Sequence, residues 1–214
     1  MTSPLEVYGQ DLLTTIGGAP PTTWLRDESG HAIVLDLPRW IEPARGADEL
    51  LLDRCTGPTL DLGCGPGRLT RALVARGLEC LGVDVAPVAV ALARHGGTPV
   101  LHASAFDTVL DDTRWATVLL ADGNLDIGGD PVGLLRLLRE LLAPSCSMLA
   151  ELDPPGTPRG PVRVRVEHAG LISHWLRWAH VAADDAPDLA GASALGLSEQ
   201  WQAGGRWFAA LTRG

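Results

Sequence analysis

In the run Thr59-Leu60-Asp61-Leu62-Gly63-Cys64-Gly65-Pro66-Gly67-Arg68-Leu69-Thr70, a short apolar strand meets a glycine turn and then a helix start. Three alternate positions without Cβ let the backbone turn sharply and let a ligand lie against it. The helix that follows offers unpaired N–H groups to whatever binds there. From Pro58 onward, strands and helices alternate. Strands are predicted at Thr59–Leu62, Glu79–Asp84, Pro99–His102, Trp115–Ala121 and Ser145–Leu152, and helices at Gly67–Arg76, Pro87–His95 and Pro131–Leu142. This alternation predicts an α/β fold on a parallel sheet.

The glycine spacing separates two kinds of nucleotide cofactor. A dinucleotide loop reads G-x-G-x-x-G, but here Arg68 occupies the third glycine position. Asp61, at the strand end, suits a ligand with an ammonium group and repels a pyrophosphate. Asp84 closes the second strand, where a carboxylate can accept from both hydroxyls of an adenosine ribose. The string from Thr59 to Thr70 resembles motif I of the class I S-adenosylmethionine (SAM) dependent methyltransferases. The resemblance implies a Rossmann-like sheet, mostly parallel with an antiparallel C-terminal strand. It also implies SAM as cofactor and methyl transfer to the O, N, S or C nucleophile of a small organic acceptor, such as one of secondary metabolism.

The cofactor residues implied are Asp61, Gly63, Cys64, Gly65, Pro66 and Gly67 in the loop, Asp84 and Val85 after the second strand, and Ser104, Ala105 and Phe106 near adenine. Ser104 departs from the acidic residue usual in the family at that point. Ala121, Asp122 and Asn124 correspond to motif IV, beside the transferred methyl. A main-chain carbonyl of Ala121 or Asp122 is expected to hold the methionine ammonium, and the Asp122 side chain to orient or deprotonate the acceptor. The motif IV string of exocyclic base and glutamine methylation is missing.

The remaining segments are read as cover within one domain: 1–56 as an N-terminal region, 57–153 as the cofactor core, 154–182 as an inserted β-hairpin after strand 5, and 183–214 as a last helix and terminal hairpin. The first contains a helix at Pro4–Ile16, ended by Gly17-Gly18 and Pro20-Pro21, strands at Thr22–Arg26 and His31–Leu37, and a helix at Ala47–Cys55. Further on, Val162–Glu167 and Ile172–His180 read as paired strands. Asp184–Leu195 reads as a helix, and Leu197–Trp201 with Arg206–Thr212 as a hairpin. Tyr8, Trp24, Trp40, Trp175 and Trp178 in the added segments are the expected acceptor wall. His31 joins Asp122 as a candidate base, because an imidazole titrates near neutrality. His168, His174 and His180 are evenly spaced, but Ala169-Gly170 reverses the chain between them, so no metal site is expected.

The formal net charge is −9, and all 17 basic residues are arginine. With no lysine, proton removal falls to Asp, Glu, His, Tyr or water. Without a basic stripe, nucleic acid is not an expected partner. No apolar run reaches the roughly 20 residues of a membrane span, and the N-terminus lacks a signal-peptide pattern, so a cytoplasmic protein is expected, as monomer or homodimer. Scattered Cys55, Cys64, Cys80 and Cys146 read as reduced thiols. Two other functions share this sequence pattern: a non-catalytic SAM-binding protein and a NAD(P)-dependent oxidoreductase.

Overall fold

The structure, a computed structural model, describes residues 2–18, 23–107 and 114–214. Its centre is a seven-stranded sheet built from β3 (Thr59–Leu62), β4 (Cys80–Asp84), β5 (Val100–His102), β6 (Trp115–Leu120), β7 (Leu142–Leu152), β11 (Gly196–Ala203) and β12 (Arg206–Thr212). The strand order is β11-β12-β7-β6-β3-β4-β5. β5, β4, β3, β6 and β7 pair in parallel, and β12 runs antiparallel to β7. This is the Rossmann-like α/β sheet with an antiparallel C-terminal strand that the motif pattern implied.

Alternation along the strands sends successive side chains to opposite faces. Val118, Leu120, Met148 and Ala150 pack with Leu134, Leu135 and Leu138 of α6 (Pro131–Arg139) and Leu189 of α7 (Ala186–Ala192). Leu119, Leu149 and Phe208 face Leu51 and Leu52 of α3 (Ala47–Leu52) and Leu69 and Leu73 of α4 (Arg68–Ala75). α5 (Pro87–His95) starts with proline, whose missing N–H is no loss at a first helical turn.

The two hairpins expected in the added segments join in a single sheet. β1 (Trp24–Asp27), β2 (Ala32–Val34), β8 (Gly160–His168) and β10 (Leu176–His180) form one antiparallel sheet in the order β10-β8-β1-β2, with β9 (Leu171–Ile172) also paired to β8. β1 joins the N-terminal region to the later insertion, with Leu25 opposite Val166. α1 (Pro4–Ile16) has the predicted bounds, set by Pro4 and a capping box in which the Ser3 N–H donates to Glu6. It is tied to this cover sheet by fully buried Asp11, which accepts from the Thr23 hydroxyl and lies 3.3 Å from His168 Nδ1.

The expected strand His31–Leu37 stops at Val34, and Leu37–Ile41 forms α2 instead. Asp36 caps its N-terminus and Pro38 sits in its first turn. Ala183–Asp185 is a 3-10 turn preceding α7. Pro20-Pro21 and Thr22 lie outside the described residues. No helix among the described residues is long and apolar enough to cross a membrane.

Candidate active site

A cavity of 480 Å³ opens at the carboxyl ends of β3, β4, β6 and β7, roofed by α1, α2 and the inner face of the cover sheet. Open α/β sheets bind ligands at this edge, and the volume falls in the range of about 300–1,000 Å³ usual for small molecules.

The glycine loop forms its floor. Gly63, Gly65 and Gly67 all have positive φ, at +72°, +55° and +86°. A Cβ on Gly63 would stand 2.5 Å from the Asn124 side chain, and one on Gly67 would stand 2.8 Å from Thr98. These two glycines make room for protein neighbours. Gly65 differs, because its Cβ position meets only the Tyr8 hydroxyl at 3.5 Å. Asn124 locks the loop by donating from Nδ2 to the carbonyls of Leu62 and Gly63, both at 2.9 Å. Asp84 locks it from the other side, its two oxygens accepting from the N–H groups of Gly65 at 2.8 Å and Ala86 at 2.7 Å. Each Asp84 oxygen keeps a lone pair for a hydroxyl donor.

Asp61 is buried on the cavity wall. Its Oδ2 accepts from the Thr70 N–H and hydroxyl, leaving Oδ1 without a hydrogen bond among the described residues. Burial pushes its carboxyl up to about 6, opposed by the Thr70 hydroxyl and by Arg68. Burial, then Asp84, raise the Tyr8 hydroxyl well above its ordinary value, so it stays a neutral donor. Tyr8 packs edge-on against Trp40 at 6.0 Å.

Asp122 lies just past β6 with φ +58°, an uncommon conformation for a residue with a side chain. Its N–H donates to Glu151 at 2.6 Å. Its carboxylate accepts from Arg39 at 2.6 Å, Arg68 at 2.5 Å and Arg206 at 3.1 Å. Arg68 also binds Asp48, and Arg206 binds Asp48 and Glu151. Asp122 is therefore the hub of an ion network that fastens α2 to the sheet. With three guanidiniums on its oxygens, it is poorly placed to take a proton from an acceptor. The Ala121 carbonyl, expected near an ammonium, already accepts from the Asn124 N–H.

The cavity wall brings together the predicted residues Asp61, Gly63, Cys64, Gly65, Pro66, Asp84, Val85, Ala121, Asp122 and Asn124, with Tyr8, Trp40 and Trp178. The other predicted site residues lie off this wall. Gly67 packs on Thr98. The Ser104 hydroxyl accepts from the Phe106 N–H, half-exposed Phe106 lies against Gly128, and Ala105 joins the core packing. His31 is exposed in the β1–β2 turn, its N–H on Asp27. Trp24 follows the alternation that turns Leu25 inward, so it is exposed on the outer face of the cover sheet. Trp175 lies under the guanidiniums of Arg163 and Arg165.

Sequence reasoning missed Arg39, Glu151, Asp126, Asp153 and His180, all of which line the cavity, and Arg206, which anchors its ion network. Glu151 and Asp153 carried a usable signal, since they end a strand at the ligand-binding edge of the sheet. Arg39 has a buried Nη1 without a hydrogen-bond partner among the described residues, while its Nε lies 3.4 Å from Asp36 Oδ2 in an ion pair.

Residues 59–145 match the family model described as a methyltransferase domain. The whole chain superposes on a SAM-dependent methyltransferase from Bacteroides fragilis in complex with S-adenosylhomocysteine, at a TM-score of 0.79 and 15% identity, over 100% of this chain and 97% of that one. A Burkholderia thailandensis 1,6-didemethyltoxoflavin N1-methyltransferase, with its substrate and S-adenosylhomocysteine bound, is similar at a TM-score of 0.64 and 16% identity, over 100% and 91%. A sugar N-methyltransferase from a Streptoalloteichus species gives 0.58 and 18%, over 78% and 84%. The chain thus has the class I methyltransferase fold and carries a methyltransferase domain over residues 59–145.

Proposed function

We propose that this chain transfers a methyl group from SAM to a small organic acceptor held under the cover sheet. The observation that carries the reading is the match between unsatisfied polar atoms of the cavity and the groups of SAM. Asp61 Oδ1 would hold the ammonium and Arg39 Nη1 the carboxylate. The open lone pairs of Asp84 would take the ribose hydroxyls, above Gly65, where no Cβ intrudes. SAM, when bound, supplies a methyl already activated by its sulfonium. The protein then has to align the acceptor and exclude water.

α1 and α2 shape the site by placing Tyr8 and Trp40 over the loop. Arg39 on Asp122 holds that cover shut against the sheet. Asp122 acts here as a positioning residue, because its carboxylate is spent on arginines. The one-domain division, with residues 1–56 and 154–182 as acceptor cover, fits the shared cover sheet. Small-molecule acceptors are also what the named toxoflavin and sugar methyltransferases use.

Incubating the protein with methyl-labelled SAM and a small-molecule extract tests the reading. Label is expected in low-molecular-weight product. Binding of SAM with no transfer to any acceptor would favour a non-catalytic binder.

A further inference from the structure

Along β10, Leu176, Trp178 and His180 all point into the cavity. His180 Nδ1 lies 3.0 Å from Asp153 Oδ2. A carboxylate only accepts, so Nδ1 carries a proton, and in the neutral ring Nε2 keeps its lone pair; the hydrogen bond to Asp153 holds the imidazole above its ordinary pKa. Nε2 has no hydrogen-bond partner among the described residues. Backbone fixes the pair from both sides: the Asp153 N–H donates to the Val181 carbonyl and the Ala183 N–H donates to the Asp153 carbonyl, each at 2.9 Å. Asp126, from the turn after β6, adds a second carboxyl beside the Trp178 indole.

The charges acting on His180 are those of Asp153, Asp126 and Asp27, and those acting on Asp126 are Asp153, His180 and Glu151. Glu151 is already paired with Arg206. Arg39 and Arg68, the arginines of the cavity wall, are both bound to Asp122. Among the described residues the cluster therefore holds carboxyls with no guanidinium of its own. Burial, then Asp153, push Asp126 up to about 8, so it is mostly the neutral acid near pH 7 and ionises only when a cation enters beside it. An anionic acceptor would be repelled. Leu25, Val166 and Leu176 supply apolar walls around the cluster.

We infer that this end of the cavity receives the amino group of a small amine acceptor, with His180 as catalytic base and Asp153 as its positioning residue, an inference that rests on the methyl-transfer reading above. An amine of ordinary basicity arrives as the ammonium. His180 Nε2 takes one proton: the N–H bond breaks, its electron pair stays on the amine nitrogen, and the positive charge passes to the imidazolium. That lone pair forms the N–CH3 bond while the methyl donor's C–S bond breaks with its pair to sulfur. The imidazolium proton then leaves to water.

The test uses the full chain with methyl-labelled SAM and two matched probe pools: benzylamine, tryptamine and glucosamine, against benzyl alcohol, indole-3-acetate and glucose. Label is expected in the amines. His180→Gln should lower kcat/KM by about 100-fold near pH 7 with unchanged SAM affinity, and the loss should shrink as pH approaches the amine's own pKa. Asp153→Asn should lower the rate less and move the titration of His180 downward. A readout independent of turnover is histidine 15N NMR of the protein saturated with S-adenosylhomocysteine, with His180 assigned by His180→Gln. It should show a proton on Nδ1 and titration at Nε2.

Label confined to the alcohol and acid pool, or absent from both pools while SAM binds, overturns the amine assignment. A His180→Gln rate within about threefold of wild type at every pH, or a neutral ring with its single proton on Nε2, overturns the base. Failure of the wild type to bind SAM strikes the methyl-transfer reading instead.

Discussion

Asp61 sets a cost and a function against each other, and Asp61→Asn separates them. Folding raises the carboxyl from its usual 3.8 to about 6, chiefly by burial. At 1.36 kcal/mol per pKa unit, keeping it ionised in the folded protein costs about 3 kcal/mol near neutral pH. Because the folded-state value is raised, the folded chain binds more protons than the unfolded one. This group's penalty is therefore full above about pH 6 and fades as pH falls toward 4. Asn is nearly isosteric, can still accept from Thr70, and carries no charge. Ligand-free Asp61→Asn should consequently melt about 6–12 °C above wild type at pH 7.5, with the gap closing on acidification. The same change removes the partner of the SAM ammonium and should weaken SAM binding about 10- to 100-fold, the usual worth of a hydrogen bond to a charged group. Wild-type affinity should likewise fall below pH 6. Scanning calorimetry from pH 4 to 8 and SAM titration of both proteins give the two numbers. A variant that melts below wild type at pH 7.5, or binds SAM within about twofold of it, refutes the reasoning.

Arg206→Met leaves Glu151 without its guanidinium and should cost about 3–5 kcal/mol in urea unfolding, with much of the loss recovered in Arg206→Met/Glu151→Gln. Gly63→Ala should destabilise the protein by about 1–3 kcal/mol, since its Cβ would meet Asn124. Gly65→Ala, strained at φ +55° but meeting only the Tyr8 hydroxyl at 3.5 Å, should cost less stability and proportionately more SAM affinity, as paired melting and binding measurements would show.

The sheet core was legible because its signals are local. Thr59–Leu62 and Pro87–His95 were predicted to the residue, from an apolar strand closed by glycine and from a proline opening a helix. The cover sheet was not legible, because Trp24–Asp27 finds its partner in Val164–Glu167 through a pairing across the whole core, and no local pattern selects one partner among several strands. α2 was missed although Asp36 and Pro38 signalled it; the apolar run Ile33-Val34-Leu35 drew the strand reading too far.

In the site, the glycines, Asp61 and Asp84 announced themselves by position in a motif. Asp122 lines the cavity, but its arginine partners come from three distant segments that the sequence does not juxtapose. His31 and His180 are alike as residue types. Strand alternation and the fold put one in an exposed turn and the other in the cavity.

The most direct measurement is a calorimetric titration of the wild-type chain and Asp84→Ala with SAM, with NAD+ as the comparison ligand. Saturable binding of SAM by the wild type, weakened at least about tenfold in Asp84→Ala, with no binding of NAD+, is the predicted result. Absence of SAM binding by a folded wild type, or an affinity that Asp84→Ala leaves unchanged, would contradict the account.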